Sequence, residues 1–257
     1  MTKIIQITDP HLGPDSDFRL AGVNTRDSFN AVVDDACERS PDLLLITGDI
    51  AAHPNLAAYE YFFSALNDTS LPFVWLPGNH DDVHMIESVD KSVPYLKTFD
   101  IGNWRILLLD SVVAGSPNGQ FGSEELKLFR QLLEQNTQEH VMVCVHHHPM
   151  SVGSAWLDKQ CIADAEDFLH IVRSSRRVRS VHWGHIHQTF EQTLGGVLYA
   201  SAPSTCIQFK PQSEIFALDD KYPGYRTLNL SPDGSIETHV TRVTMPEFNV
   251  LLDSQGY

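Results

Sequence analysis

Trp75-Leu-Pro-Gly-Asn-His-Asp-Asp82 is the stretch on which the reading of this chain turns. The apolar run Leu71 to Leu76 stops at Pro77-Gly78, a pair that breaks a strand and forces a turn. On that turn stand an amide, an imidazole and two carboxylates: Asn79, His80, Asp81 and Asp82. Polar groups at the C-terminal end of a strand are where α/β proteins place ligands and chemistry. One such end is a modest indication, and its weight depends on whether other strands supply partners.

Upstream, two do. Ile4 to Thr8 reads as a short apolar strand ending at Asp9-Pro-His11. Leu43-Leu-Leu-Ile-Thr47 is a continuous apolar run, the mark of a strand buried on both faces, and it ends at Gly48-Asp49. Between them Asn24 or Thr25 caps a predicted helix with Phe29, Val32, Val33 and Ala36 on one face, stopped by Ser40-Pro41. A second helix, Ala57 to Leu66, leads into the strand Phe73 to Leu76. Alternating strands and helices imply parallel pairing with right-handed crossovers. Asp9, His11, Asp49, Asn79 and His80 are therefore expected on one rim of one sheet.

Downstream the strand ends continue the theme. Ile106 to Asp110 is another buried strand, followed by a helix from Ser123 through Leu133. Val141 to Val145 ends at His146-His-His-Pro149, and Arg176 to Trp183 ends at Gly184-His-Ile-His187. From residue 188 the pattern turns hairpin-like, around Gly195-Gly196 and Pro232-Asp-Gly234. The expected architecture is a single domain over 1–257, with 188–257 supplying hairpin strands of a second sheet and a C-terminal extension. No repeat, low-complexity segment or linker divides the chain.

Composition narrows the function. A length of 257 residues, 42% hydrophobic and 20% charged, suits an ordinary globular core. Eighteen basic against 33 acidic residues give a formal charge of −15, which argues against a nucleic-acid or anionic-membrane surface. An anionic substrate would need strong local positive charge, and metal ions supply it. Cys37, Cys144, Cys161 and Cys206 show no Cys-x-x-Cys pairing and read as free thiols of a reducing compartment. With no leader-like N-terminus and no run of ~20 apolar residues, the expectation is a cytoplasmic protein off the membrane. Monomer and homodimer are both left open.

Gathered together, the strand ends give Asp9-x-His11, Gly48-Asp49, Gly78-Asn-His-Asp81, His146 and Gly184-His-x-His187. Each has an ordinary structural reading: Asp-Pro opens turns, Gly-Asp fills loops, and Asn forms Asx-turns. Five such pieces, each just past a predicted core strand, point jointly to a metal site. Carboxylate, imidazole and amide donors suit Mn²⁺, Fe²⁺/Fe³⁺ or Zn²⁺. Seven donors exceed what one such ion needs with room left for substrate; they suit two ions ~3.5–4 Å apart. The glycines before Asp49, Asn79 and His185 would allow close backbone approach.

This set resembles the signature of the calcineurin-like metallophosphoesterase superfamily. Ser154-Ala-Trp-Leu-Asp158, Pro203-Ser-Thr-Cys-Ile-Gln-Phe-Lys-Pro211, His146-His-His-Pro149 and the final Gln255-Gly-Tyr257 look like the bacterial class III cyclic AMP phosphodiesterases within it. The resemblance implies a four-layer α-β-β-α sandwich, two mixed sheets flanked by helices. It implies that Asp9, His11 and His187 hold one metal, that Asn79, His146 and His185 hold the other, and that Asp49 bridges them. His80 would touch the phosphoryl group and protonate the leaving oxygen, with Asp81 orienting it. Substrate contacts would come from His11, Asp49, Asn79, His80 and His187. Pro10 stands where relatives more often carry Thr, Ser or Leu; it removes an N–H but no ligand. The implied activity is hydrolysis of 3′,5′-cyclic AMP to 5′-AMP by a metal-bridged hydroxide, lowering cellular cyclic AMP. A broader diesterase acting on 2′,3′-cyclic nucleotides is the alternative within enzymes; a metal-binding scaffold without catalysis is the alternative outside them.

The remaining histidines read differently. His147 and His148 are expected beside the site or at its rim, and His182 as a packed residue. His53, His84, His140, His170 and His239 are expected at the surface.

Overall fold

A computed structural model describes residues 1–255 of the chain, so Gly256 and Tyr257 of the Gln255-Gly-Tyr257 segment lie outside the described residues. In chain order, β1 (Thr2–Ile7) is followed by a small hairpin of β2 (Arg19–Leu20) and β3 (Val23–Asn24), then α1 (Thr25–Glu38). Next come β4 (Leu43–Ile46), α2 (Leu56–Asp68), β5 (Phe73–Trp75) and α3 (Val83–Val89). The middle holds β6 (Thr98–Ile101), β7 (Trp104–Leu108), α4 (Gly122–Glu134), β8 (His140–Cys144), α5 (Ala165–Ser174) and β9 (Val178–Trp183). The last part is β10 (Phe190–Leu194), β11 (Val197–Ser201), β12 (Gln208–Phe209), β13 (Leu218–Asp219), β14 (Gly224–Leu230) and β15 (Ile236–Arg242).

Two large sheets result, with orders β15-β14-β1-β4-β5 and β10-β11-β9-β8-β7-β6. In the first, β1, β4 and β5 are parallel, as the alternation of strand and helix requires. Alternation within each strand then sorts the layers. Ile4, Leu43, Leu45 and Val74 meet Ile106, Leu108, Met142 and Cys144 in a core between the sheets. Ile5, Ile7, Leu44 and Ile46 face α1 and α2, through Phe29, Val33, Tyr59 and Phe62. On the far side Leu107, Val141, Val143 and Val181 pack on α4 and α5, through Phe129, Phe168 and Val172. The architecture is α/β, helices–sheet–sheet–helices in four layers.

Two features differ from the sequence reading. The second sheet is built on the parallel strands β7, β8 and β9, not on the hairpins, and only β10 and β11 join it from beyond residue 188. β14 and β15 instead close the first sheet, β14 pairing antiparallel with β1 from Thr2↔Leu230 to Gln6↔Arg226. The reason is burial: Leu228 and Leu230 complete the core between the sheets beside Ile4. The second difference is His140, which is buried against Trp104, ring centroids 5.0 Å apart, and bonded to the Pro232 carbonyl.

Candidate metal centre

The C-terminal ends of β1, β4 and β5 in one sheet, and of β8 and β9 in the other, open onto a common point. Asp9 and His11 follow β1, Asp49 follows β4, and Asn79 and His80 follow β5. His146 follows β8, and His185 and His187 follow β9. The backbone bends sharply to bring them in. Asp9, His11, Asp49, His185 and His187 all have positive φ, between 45° and 63°, a region in which ordinary side chains are uncommon. Such strain persists only where the surroundings over-determine it, and it collects at functional sites.

Glycines make the approach possible. Gly48 has φ of 97°, and a Cβ there would lie 2.4 Å from His146 Nδ1. A Cβ on Gly78 would meet Asp49 Oδ1 at 2.1 Å, and one on Gly184 would meet Thr8 Oγ1 at 2.1 Å. Hydrogen bonds then stitch the two sheets together around the site. Asp9, from the first sheet, accepts the His185 backbone N–H of the second at 3.0 and 3.1 Å. The His146 ring meets the Thr47 carbonyl at 2.8 Å across the same gap.

These outer bonds decide which ring atoms face inward. His146 Nδ1 lies on Thr47 O, and His187 Nδ1 lies 2.9 Å from Ile207 O. A nitrogen next to a carbonyl must carry the proton, so Nε2 of each ring offers a lone pair to the centre. There His187 Nε2 lies 3.0 Å from His11 Nε2 and 3.5 Å from Asp9 Oδ1. Asp49 Oδ2 lies 3.2 Å from His146 Nε2 and 3.7 Å from His11 Nε2. Donor atoms of Asp9, His11 and His187 fall within 4.8 Å of one another, as do those of Asp9, Asp49 and His146, with Asp9 and Asp49 between the groups. His185 Nε2 and Asn79 Oδ1 are buried without a hydrogen-bond partner. Buried orphan acceptors are costly unless something cationic satisfies them. The donor set fits a metal centre with places for two ions.

Electrostatics agree. Burial holds His11 and His185 well below the ordinary imidazole value, so both are neutral and able to ligate. His146 differs: burial works to lower it, but the Asp49 carboxylate and its hydrogen bond outweigh burial and carry it up to about 9. Asp49 is held well below its ordinary value, the surrounding imidazoles outweighing burial.

His80 and Asp81 sit at the mouth of this centre with separate duties. His80 lines a cleft with Asn79 and His185, its ring 5.0 Å from that of His11. Its Nδ1 meets the Ala52 carbonyl at 2.7 Å, and its backbone N–H bonds Asp49 Oδ1 at 2.9 Å. Asp81, expected to orient the His80 ring, turns instead to the backbone. Its oxygens accept the N–H groups of Gly78, Ile50 and Ala51 and the Tyr59 hydroxyl. Burial and the neighbouring Asp49 charge push its carboxyl up to about 6.

Sequence reasoning undervalued His147. It is fully buried, its Nδ1 lies 2.8 Å from Ser111 Oγ, and its partnerless Nε2 side joins His146 and His185 in a third group within 4.8 Å. The one signal was its place in His146-His147-His148, a run directly after a core strand. His148 is buried and stacked on His185 at 5.8 Å, beside the site, the first of the two places expected of it, and not at the rim.

Comparisons with known proteins agree with this geometry. The family profile described as calcineurin-like phosphoesterase matches residues 2–189. The 3′,5′-cyclic adenosine monophosphate phosphodiesterase CpdA of Vibrio vulnificus is 38% identical over 261 residues, covering 99% of this chain and 95% of that protein. CpdA of Escherichia coli K12 is 36% identical, covering 99% and 94%. Among solved structures, a dimetal phosphatase from Danio rerio superposes with a TM-score of 0.64 at 15% identity, covering 95% of this chain and 99% of that one. A purple acid phosphatase from yellow lupin does so with 0.67 at 13% identity, covering 97% and 52%. The fold, the converging donors and the full-length relatives make this chain a member of the calcineurin-like phosphoesterase family.

Proposed function

We propose that the chain, as one metallophosphoesterase domain, hydrolyses 3′,5′-cyclic AMP to 5′-AMP and so lowers cellular cyclic AMP. The observation that carries the reading is the convergence of seven candidate donors from five strand ends beside a cleft that Asn79 and His185 line. Relatives matched over nearly their full length and named for this activity support the substrate.

Asp9, His11 and His187 would hold one ion and Asn79, His146 and His185 the other, with Asp49 between them. Mn²⁺ or Fe²⁺/Fe³⁺ suits this mixed oxygen and nitrogen set, and Zn²⁺ is compatible with it. Bound there, such ions supply Lewis acidity at the phosphoryl oxygens and a nucleophile at neutral pH. The protein's part is to orient and to move a proton. His80 stands at the cleft with Nδ1 anchored on Ala52. As the imidazolium it would keep Nδ1–H on Ala52 and deliver its Nε2 proton to the ribose O3′ as the P–O3′ bond breaks, leaving the phosphate on O5′. The acidic surface, −15 overall, keeps nucleic acid away while the centre attracts a small anion. Among the described residues no helix is long and apolar enough to cross a membrane, and all four cysteines are free. The free thiols suit a reducing compartment, which supports a place in the cytoplasm beside the substrate.

The test is steady-state hydrolysis of 3′,5′-cyclic AMP with Mn²⁺ or Fe²⁺ supplied. Cyclic GMP, 2′,3′-cyclic AMP and bis(p-nitrophenyl) phosphate run alongside. A clear preference for 3′,5′-cyclic AMP, abolished by chelation and by Asn79→Ala, is expected. Equal or faster turnover of the other diesters would replace this reading with the broader diesterase.

A further inference from the structure

The cleft beside the metal centre is lined by two unlike sets of side chains. Asn79, His80 and His185 are one; Trp156, Phe209 and Phe216 are the other, and Gln160 and Pro117 complete the lining. Its volume is about 220 Å³, room for a ring system rather than for a macromolecule. Nothing in metal-assisted hydrolysis calls for three aromatic rings there.

The rings are fixed by one another. Trp156 lies edge-on to Phe209 at 5.0 Å and 73° and to Phe216 at 5.2 Å and 72°, and the two phenyl rings meet at 5.6 Å and 66°. Edge-to-face packing of this kind is directional and holds ring planes in place. Phe209 in turn stacks face to face on the His187 imidazole, 4.2 Å apart and 7° from parallel. The aromatic wall is thus built directly onto a candidate metal ligand, which sets its distance from any phosphorus atom held at the centre. The loop bearing Trp156 is closed by Asp158, which accepts from Ser151 Oγ at 2.7 Å and from the Val152 N–H at 2.8 Å. Ser154 Oγ ties the same loop to Gln188, next to His187, at 3.2 Å.

We propose that Trp156, Phe209 and Phe216 bind the nucleobase of the substrate and that the Gln160 amide reads its edge. This rests on the cyclic nucleotide reading above. The wall carries no charged side chain, so it suits a flat, neutral ring. A glutamine amide offers one donor and one acceptor side by side, which matches adenine N7 and its N6 amino group. Guanine presents two acceptors, O6 and N7, on the same edge, and the amide oxygen then faces an oxygen or nitrogen lone pair. The cleft therefore selects adenine over guanine.

Three measurements test this. Trp156→Ala and Phe216→Ala should lower kcat/KM for 3′,5′-cyclic AMP roughly ten-fold more than for methyl riboside 3′,5′-cyclic phosphate, the same cyclic diester without a base. Gln160→Ala should erase most of the preference for cyclic AMP over cyclic GMP. Independently of any variant, 5′-AMP should quench the tryptophan emission of the metal-loaded wild-type enzyme while ribose 5-phosphate does not. Trp75, Trp104 and Trp183 are at most 1% exposed, so the change reports Trp156. Equal losses on both diesters, or equal quenching by both monophosphates, would overturn the base wall. Hydrolysis of the methyl riboside diester without hydrolysis of cyclic AMP would instead overturn the substrate reading, and the quenching result would then decide the wall.

Discussion

The Asp81 carboxylate accepts three backbone N–H groups, at 2.9 Å from Gly78 and 3.1 Å from each of Ile50 and Ala51. It thereby ties the loop after β5 to the loop after β4. Asp81→Ala strands all three donors, and each buried unsatisfied group costs about 1–3 kcal/mol. The expected loss is ~3 kcal/mol or more in urea denaturation, with Asp81→Asn intermediate because one oxygen still accepts. A change confined to turnover, with stability intact, would return Asp81 to an orienting role. That the candidate donors share one rim was legible because each is a polar group just past an apolar run. Their left-handed backbone was not, since nothing in the identity of Asp9 or His187 demands positive φ. That conformation is imposed by the meeting of the two sheets.

α2 shows what a single element contributes. Asn55 caps it, its side chain accepting from the Ala57 and Ala58 N–H groups, and the helix then presents Tyr59 to Asp81 and to the Asp82 N–H. Asn55→Ala should cost about 1 kcal/mol of stability by thermal denaturation. The helix and strands flanking it were readable from their apolar periodicity. α3 was not, being seven residues long with only Ile86 buried. β6 escaped as well: Thr98–Ile101 is an edge strand with no fully buried residue, so it carries no alternation to detect. The destination of β14 was hidden for a different reason. Its pattern says hairpin, but which sheet an antiparallel strand joins depends on the partner edge, here β1, more than two hundred residues away in sequence.

Between the sheets the apolar core gives way to a polar layer near β1 and β9. Gln6 bonds Thr47 and the Trp183 carbonyl, and the fully buried Arg226 bonds the Ser201 carbonyl, Glu191 and Thr238. His182 lies in this layer, buried, with neither ring nitrogen hydrogen-bonded. Burial, with the Arg226 charge, lowers its pKa from 6.5 to about 3. Above pH 6.5 the imidazole is neutral folded or unfolded, and stability is intact. Between there and about 3 the unfolded chain takes up a proton that the native state refuses. Stability should therefore fall with pH, by up to about 1.4 kcal/mol per unit from this group alone. Chemical denaturation across that window should show a shallower decline in His182→Gln; parallel curves would refute the assignment.

The candidate donors come from both sheets: Asp9, His11, Asp49 and Asn79 from one, His146, His185 and His187 from the other. Any cation held there is a clasp across the seam of the molecule, joining segments that an unfolded chain keeps far apart. Binding to the native state alone adds stability that grows with the free ion concentration. Metal scarcity would then act on the enzyme twice, silencing it and shortening its life, because a chain without its clasp opens more often to proteases. The amount of active protein would then follow metal supply through stability as well as through chemistry.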